Sequence, residues 1–190
     1  REYEELESTN TEAERVGWSE LEDKMVILTY RQTQGRGQVG NHWESEPGKN
    51  ISMTVVFKPR ELPAGQQFAV SMVIALGACD FISRYVSGCS VKWPNDIYVG
   101  DRKISGILIE HSIMGRYVGG SLCGIGVNIN QERFLSDAPN PVSLFQLIGK
   151  EIPVKRALEE LLDCIGKRYE TIRDYEGLER DFLKVLYRRE

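Results

Sequence analysis

The chain has 190 residues, 41% of them hydrophobic and 27% charged, enough for one domain with a buried core and inconsistent with wholesale disorder. Its 24 basic and 28 acidic side chains leave a net charge of −4, so it lacks the basic field of a nucleic-acid binder. No apolar run approaches a membrane span, the charged opening Arg1-Glu2-Tyr3-Glu4-Glu5 does not read as a signal peptide, and no membrane association is expected. Cys79, Cys89, Cys123 and Cys164 are scattered without a Cys-x-x-Cys pair. That argues against a zinc site or disulfide framework and for buried structural thiols in a reducing cytoplasm.

In chain order, Thr11 to Glu22 reads as a helix opened by Ser8-Thr9-Asn10, whose short polar side chains suit an N-cap. Met25 to Tyr30 reads as a strand, residues 31–50 as a long polar, glycine-rich loop, and Ile51 to Phe57 as a second strand. Gln66 to Val86 is mostly apolar, with Phe68, Met72, Ala75, Cys79, Ile82 and Val86 on one stripe, and is expected to be the central buried helix. Ile97 to Val99 and Arg102 to Glu110 form a hairpin around Gly100-Asp101, followed by a strand over Tyr117 to Asn130. A short helix over Ser143 to Gly149, a longer amphipathic one carrying Leu158 to Ile172, and one more around Leu178 to Leu186 complete the chain. Hairpin-linked strands with separate helices predict an α+β fold, a mixed, largely antiparallel sheet flanked by helices.

Gly35-Arg36-Gly37-Gln38-Val39-Gly40 matches the dinucleotide fingerprint G-x-G-x-x-G. The fingerprint requires a helix N-terminus after it, and Asn41 to Gly48 begins none before the chain enters the strand at Ile51, so the nicotinamide reading is rejected. The glycines still permit close approach of backbone N–H groups to a ligand, Arg36 offers a fork for phosphate or carboxylate, and Trp43 a face for a ring. A surface loop whose tryptophan docks on the core is the competing reading.

With Gly100-Asp101 as a two-residue turn, Tyr98 faces Lys103 and Asp96 faces Ser105, placing Asp96, Tyr98, Lys103 and Ser105 on one face and Ile97, Val99 and Ile104 on the other. Lys103 is then either a solvated hairpin lysine or a fixed charge between two anions. Lys92-Trp93-Pro94-Asn95-Asp96 reads as a rigid corner leading into the hairpin. In the strand from Cys123, one face reads Gly124, Gly126, Asn128, Asn130. Strand glycines mark either a close approach to the backbone or a bend against the buried helix.

Together Ser8-Thr9-Asn10, the Gln32–Trp43 loop, Lys92-Trp93-Pro94-Asn95-Asp96, Arg102-Lys103-Ile104-Ser105-Gly106-Ile107 and Gly126-Val127-Asn128-Ile129-Asn130 closely resemble the biotin–protein ligase family in order and spacing, over roughly residues 5–130. The resemblance implies a catalytic domain related to class II aminoacyl-tRNA synthetases and lipoate ligases. It implies that ATP, with Mg²⁺, activates biotin to biotinyl-5′-AMP, and that a lysine of a biotin carboxyl carrier protein then takes the biotin. Carried over by position, Ser8, Thr9, Asn10, Gln32, Gly35, Gly37, Lys103 and Gly106 belong to the biotin side; Arg36, Gly37, Gln38, Trp43 and Asn128 belong to the adenylate side. Lys103, Arg36 and Asp96 are the implied catalytic residues, and no residue is assigned as a dedicated metal ligand, because magnesium stays with the phosphates.

Two departures from the family stand out. Gln38 occupies a position where many members carry a second arginine. The sequence is expected to divide into a catalytic domain at 1–186 and the start, at 187–190, of the small β-barrel that usually follows, without an N-terminal DNA-binding domain. Rival readings are a lipoate ligase or acyltransferase of the same superfamily, a non-catalytic biotin-binding module and a biotin-sensing repressor; a homodimer remains open.

Overall fold

Seven strands and five helices account for the regular structure of the computed structural model, which describes residues 1–37, 41–136 and 138–188. The strands are β1 (Glu2–Leu6), β2 (Val26–Gln32), β3 (Ile51–Phe57), β4 (Cys89–Lys92), β5 (Asp96–Val99), β6 (Arg102–Met114) and β7 (Tyr117–Val127). The helices are α1 (Thr9–Val16), α2 (Phe68–Ile82), α3 (Leu144–Ile148), α4 (Val154–Glu170) and α5 (Tyr175–Lys184). One sheet holds all seven strands in the order β1-β2-β3-β7-β6-β5-β4. Only β1 and β2 run parallel; the other pairs are antiparallel. This is the mixed, largely antiparallel α+β architecture expected.

Strand periodicity sorts the sheet into two faces. Met53, Val55 and Phe57 of β3, Ile97 of β5, Ile107 of β6 and Cys123, Ile125 and Val127 of β7 point into the main core, against α2, α4 and α5. Val56 and Leu122 point the other way and meet Ala13 of α1 and Leu21 in a smaller cluster. Thr54, Gly106, Gly124 and Gly126 on that second face carry little apolar bulk, and the site is built there.

Local chemistry explains where several expectations shift. The first helix starts at Thr9 and stops at Val16, because Gly17 takes φ +79° and ends it, rather than running over Thr11 to Glu22. The long apolar helix contracts to Phe68–Ile82, preceded by a 3₁₀ turn at Ala64–Gln66. The stretch Ala64–Ile82 is long and apolar enough to cross a membrane by length and composition, which corrects the expectation that no run approaches that length. It is nonetheless the core helix: residues from Ala69 to Ile82 are almost all buried against the sheet and α4. Two short edge elements, β1 and β4, were not anticipated; both owe their strand state to the neighbour they pair with. By contrast α3 was legible, with Ser143 and Gln146 forming a capping box and Gly149 closing it at φ +71°.

The hairpin register differs from the simple two-residue-turn alignment. Val99 pairs with Arg102 and Tyr98 with Lys103, but a bulge between Ile97 and Tyr98 makes Ile97 pair with Ser105 and Asp96 with Gly106. One extra residue on β6 turns Ser105 onto the core face, where it is fully buried and its hydroxyl has no hydrogen-bond partner. Ser105 therefore does not share a face with Asp96 and Lys103 as first expected.

Candidate active site

A pocket of about 700 Å³ opens on the glycine-bearing face of the sheet. Ser8, Thr9, Asn10, Gln32, Arg36, Gly37, Trp43, Asp96, Lys103, Gly106 and Asn128 all line it. Lys103 and Arg36, far apart in sequence, thus face one cavity. Gly35 lies outside the lining: a Cβ there would sit 2.3 Å from the Trp43 carbonyl oxygen, so glycine lets the two arms of the loop meet. Gln38 lies outside the described residues.

The inner wall is assembled from α1 and β2. Ser8 is the N-cap of α1 but makes no capping bond; the first amide, Thr9 N–H, donates instead to Gln32 Oε1 at 3.0 Å. Thr54 Oγ1 lies 2.8 Å from Thr9 Oγ1 and 2.6 Å from Asn10 Oδ1, within hydrogen-bonding distance of both. Asn10 in turn donates to Glu110 Oε2 at 2.8 Å. This buried polar chain fixes the side chains that face the pocket from α1.

The floor is the strand glycines. An added Cβ at Gly124 would lie 2.5 Å from Asn10 Oδ1, and one at Gly126 2.3 Å from the Trp43 indole; at Gly106 the ring would be 3.0 Å away. All three lie on the face turned away from α2. Close approach of other side chains, and not a bend against the buried helix, therefore explains the glycines. Asn130, grouped with them in the sequence, instead pairs with the Ile152 backbone through both ends of its amide.

Lys103 Nζ sits 2.8 Å from Asp96 Oδ1 and 5.7 Å from the centre of the Trp43 ring. Its backbone is pinned on both sides, since its N–H donates to Asn140 O and its carbonyl accepts from Val142 N–H, each at 2.8 Å. Asp96 follows the Lys92–Asn95 corner, in which the Trp93–Pro94 peptide is cis and the Asn95 carbonyl accepts from Ile107 N–H. The lysine amine is thus ion-paired while its side chain stays about a quarter exposed.

Over this wall runs the arginine loop. Gly37 N–H donates to Asn41 O and Trp43 N–H to Gly35 O, so the described arms pair with each other. Arg36 forms ion pairs with Glu14 of α1 at 3.0 Å and Glu110 of β6 at 2.8 Å, chiefly the Glu14 bond holding its guanidinium firmly charged. Glu44 ties the far arm to the 131–136 segment by accepting from Leu135 N–H, Ser136 N–H and Gln131 Nε2. Burial raises the Glu44 pKa, but these hydrogen bonds outweigh it and hold the carboxyl below its usual range. Glu14, Thr54, Glu44 and Glu110 were missed in the sequence because each acts through a partner distant along the chain.

The two Arg36 pairs are partly exposed, so each is worth only about 0.5–1 kcal/mol. Substituting both Glu14 and Glu110 by glutamine is expected to speed trypsin cleavage after Arg36 by roughly 5- to 30-fold at low ionic strength, the sum of those two terms. Added salt should shrink the difference. Cleavage at an unchanged rate, followed by mass spectrometry, would show that the carboxylates do not hold the loop.

Two buried polar atoms of the lining have no hydrogen-bond partner among the described residues: Trp43 Nε1 and Asn128 Oδ1, the latter while its Nδ2 donates to Val142 O at 3.0 Å. An orphan donor and an orphan acceptor in one cavity call for a ligand with complementary polar groups. Among the described residues no group of three or more His, Cys, Asp or Glu side chains could hold a metal ion.

A glycine-floored pocket with a lysine–aspartate pair in its wall and an arginine loop above it, on a mostly antiparallel sheet, defines the class: the fold is that of the biotin protein ligases. The structure superposes on biotin protein ligase from Aquifex aeolicus in complex with biotin and ATP with a TM-score of 0.82 and 23% identity, covering 98% of this chain and 77% of that one. The model of the Biotin/lipoate A/B protein ligase family matches residues 3–128, and the chain belongs to that family. Among curated relatives it is 28% identical over 176 residues to bifunctional ligase/repressor BirA of Bacillus subtilis, covering 90% of this chain and 52% of the relative. It is 33% identical over 125 residues to the biotin--[acetyl-CoA-carboxylase] ligase of Paracoccus denitrificans, covering 65% and 51%. The chain spans about half the length of these relatives.

Proposed function

We propose that the chain activates biotin with ATP, forming biotinyl-5′-AMP, and transfers the biotin to a lysine of a biotin carboxyl carrier protein, in the cytoplasm. The observation that carries this reading is the shared cavity: Lys103, paired with Asp96, and Arg36 line the same space. Joining two anions demands alignment and positive charge more than a protein nucleophile. In the first step the biotin carboxylate attacks the α-phosphorus and pyrophosphate leaves. Lys103 then offsets the charge between carboxylate and phosphate, while Arg36 exchanges its carboxylate partners for phosphate oxygens. In the second step the carrier amine attacks the acyl carbon and AMP leaves. The polar chain from Gln32 through Thr9 and Asn10 supplies donors and acceptors for the ureido ring, Trp43 and the glycine floor enclose the ligand, and Asn128 serves the nucleotide side. Magnesium supplies charge neutralisation on the phosphates when bound. Residues 1–186 are the catalytic unit in this reading.

The test is mass spectrometry of a carrier domain incubated with the protein, biotin and Mg-ATP, beside ATP–pyrophosphate exchange with biotin and with lipoate. Biotin-dependent exchange and a biotinylated carrier lysine are expected. Exchange with lipoate alone would assign the site to the lipoate branch, and biotin binding without any exchange would make it a non-catalytic binding module.

A further inference from the structure

Outside the pocket, the chain holds a second cluster of reactive groups that the proposed chemistry does not use. Cys79, on the last turns of α2, and Cys89, the first residue of β4, bring their sulfur atoms to 3.2 Å from each other. Both are free thiols. A disulfide bond is about 2.05 Å long, so closure needs roughly 1 Å of approach between two side chains already in contact. Cys123 and Cys164 are buried as Cys79 is, and Cys123 Sγ lies 4.0 Å from Ser121 O of its own strand. Accessibility also divides the pair, since Cys79 is 3% exposed whereas Cys89 is only partly buried.

We propose that Cys79 and Cys89 form a redox-modifiable pair, which a low-molecular-weight disulfide oxidises to an intramolecular disulfide joining α2 to β4. Cys89, reachable from solvent, gives up its proton and attacks one sulfur of the oxidant R–S–S–R; a bond from Cys89 Sγ to that sulfur forms, the oxidant's S–S bond breaks, and R–S⁻ leaves. Cys79 then loses its proton and attacks Cys89 Sγ, releasing the second R–S⁻. Two protein thiols have lost two electrons and two protons, and the oxidant has become two R–SH. The order follows from the surroundings. Cys79 is 3% exposed, so the oxidant meets Cys89 first; once Cys89 carries R–S, the Cys79 sulfur beside it resolves the adduct. β4 ends at Lys92, where the corner leading to Asp96 begins, so the cross-link would fasten the outer end of a strand whose inner end borders the pocket.

The experiment uses the whole folded chain incubated with oxidised glutathione and then alkylated without prior reduction. Intact mass and peptide mapping are read before and after dithiothreitol. Of the four thiols, two should escape alkylation, with no glutathione retained and a Cys79–Cys89 linked peptide that the reductant releases. Cys79→Ser should instead keep glutathione on Cys89, and Cys89→Ser should leave its three remaining thiols open to alkylation under denaturing conditions. Wild-type protein that ends with a lasting glutathione adduct on Cys89, or with all four thiols alkylated, would overturn the proposal. Should Cys79→Ser fail to fold, Cys89→Ser and the wild-type mapping decide the matter alone.

Discussion

Lys103→Ala is expected to fold and to bind biotin nearly as the wild type does, while forming the adenylate more than ~10²-fold more slowly, the scale of losing one donor at a site of developing charge. Folding should survive because Lys103 contributes its backbone, not its amine, to the ladder: its N–H and C=O bind Asn140 and Val142 whatever the side chain. The amine itself is 2.8 Å from Asp96, with both side chains about a quarter exposed, so the unpaired carboxylate can be rehydrated at modest cost. Lys103→Arg should not restore the rate, since a planar fork does not occupy the position of a compact ammonium. Asp96→Asn should have the smaller effect, as it frees the lysine without removing it. Single-turnover formation of the adenylate, measured beside biotin binding by calorimetry, separates the two steps. A rate within a few-fold of wild type for Lys103→Ala would leave the hairpin lysine without a role.

Gly126→Val is expected to leave the fold intact and to weaken biotin binding by roughly 5- to 150-fold, from an overpacking cost of about 1–3 kcal/mol. Valine suits an extended strand, and Gly126 lies on the face away from the main core, so β7 should tolerate it. The clash is with Trp43, whose Cε2 and Nε1 would lie 2.3 Å from the new Cβ. The indole must lift from the floor, carrying the loop arm with it and altering the cavity above Gly106. Combining Gly126→Val with Trp43→Ala should cost less than the sum of the two single changes, because the clash disappears with the ring. Strict additivity in that double-mutant cycle, or normal binding by Gly126→Val alone, would separate the floor from the ligand.

How much of this was legible before the structure depended on the range of the interaction. β3 at Ile51–Phe57 coincides with the expected strand, because its apolar run satisfies a buried position in the middle of the sheet. The short helix expected over Ser143 to Gly149 is α3, and its capping box and closing glycine are local features that the structure adds. The Lys-Trp-Pro-Asn-Asp and Arg-Lys-Ile-Ser-Gly segments pointed to the family, which the matching family model bears out. The bulge was not legible, because a one-residue shift in pairing leaves no mark on the alternation of β5 and is decided by how β6 fits β7. Glu110 was invisible for a related reason: its partners, Asn10 and Arg36, are 100 and 74 positions away.

The amino-acid sequence by itself determined the types of the longer elements, the glycine-bearing face of β7 and the cluster of short motifs, since these rest on periodicity, capping and backbone freedom within a few residues. Strand alternation already placed Lys103 and Asp96 on one face; tertiary structure alone decided that Trp43 lies on Gly106 and Gly126 and that two carboxylates hold Arg36. Such contacts join segments separated by tens of residues, and only the packing of α1 and the glycine loop against one face of the sheet brings their side chains within reach.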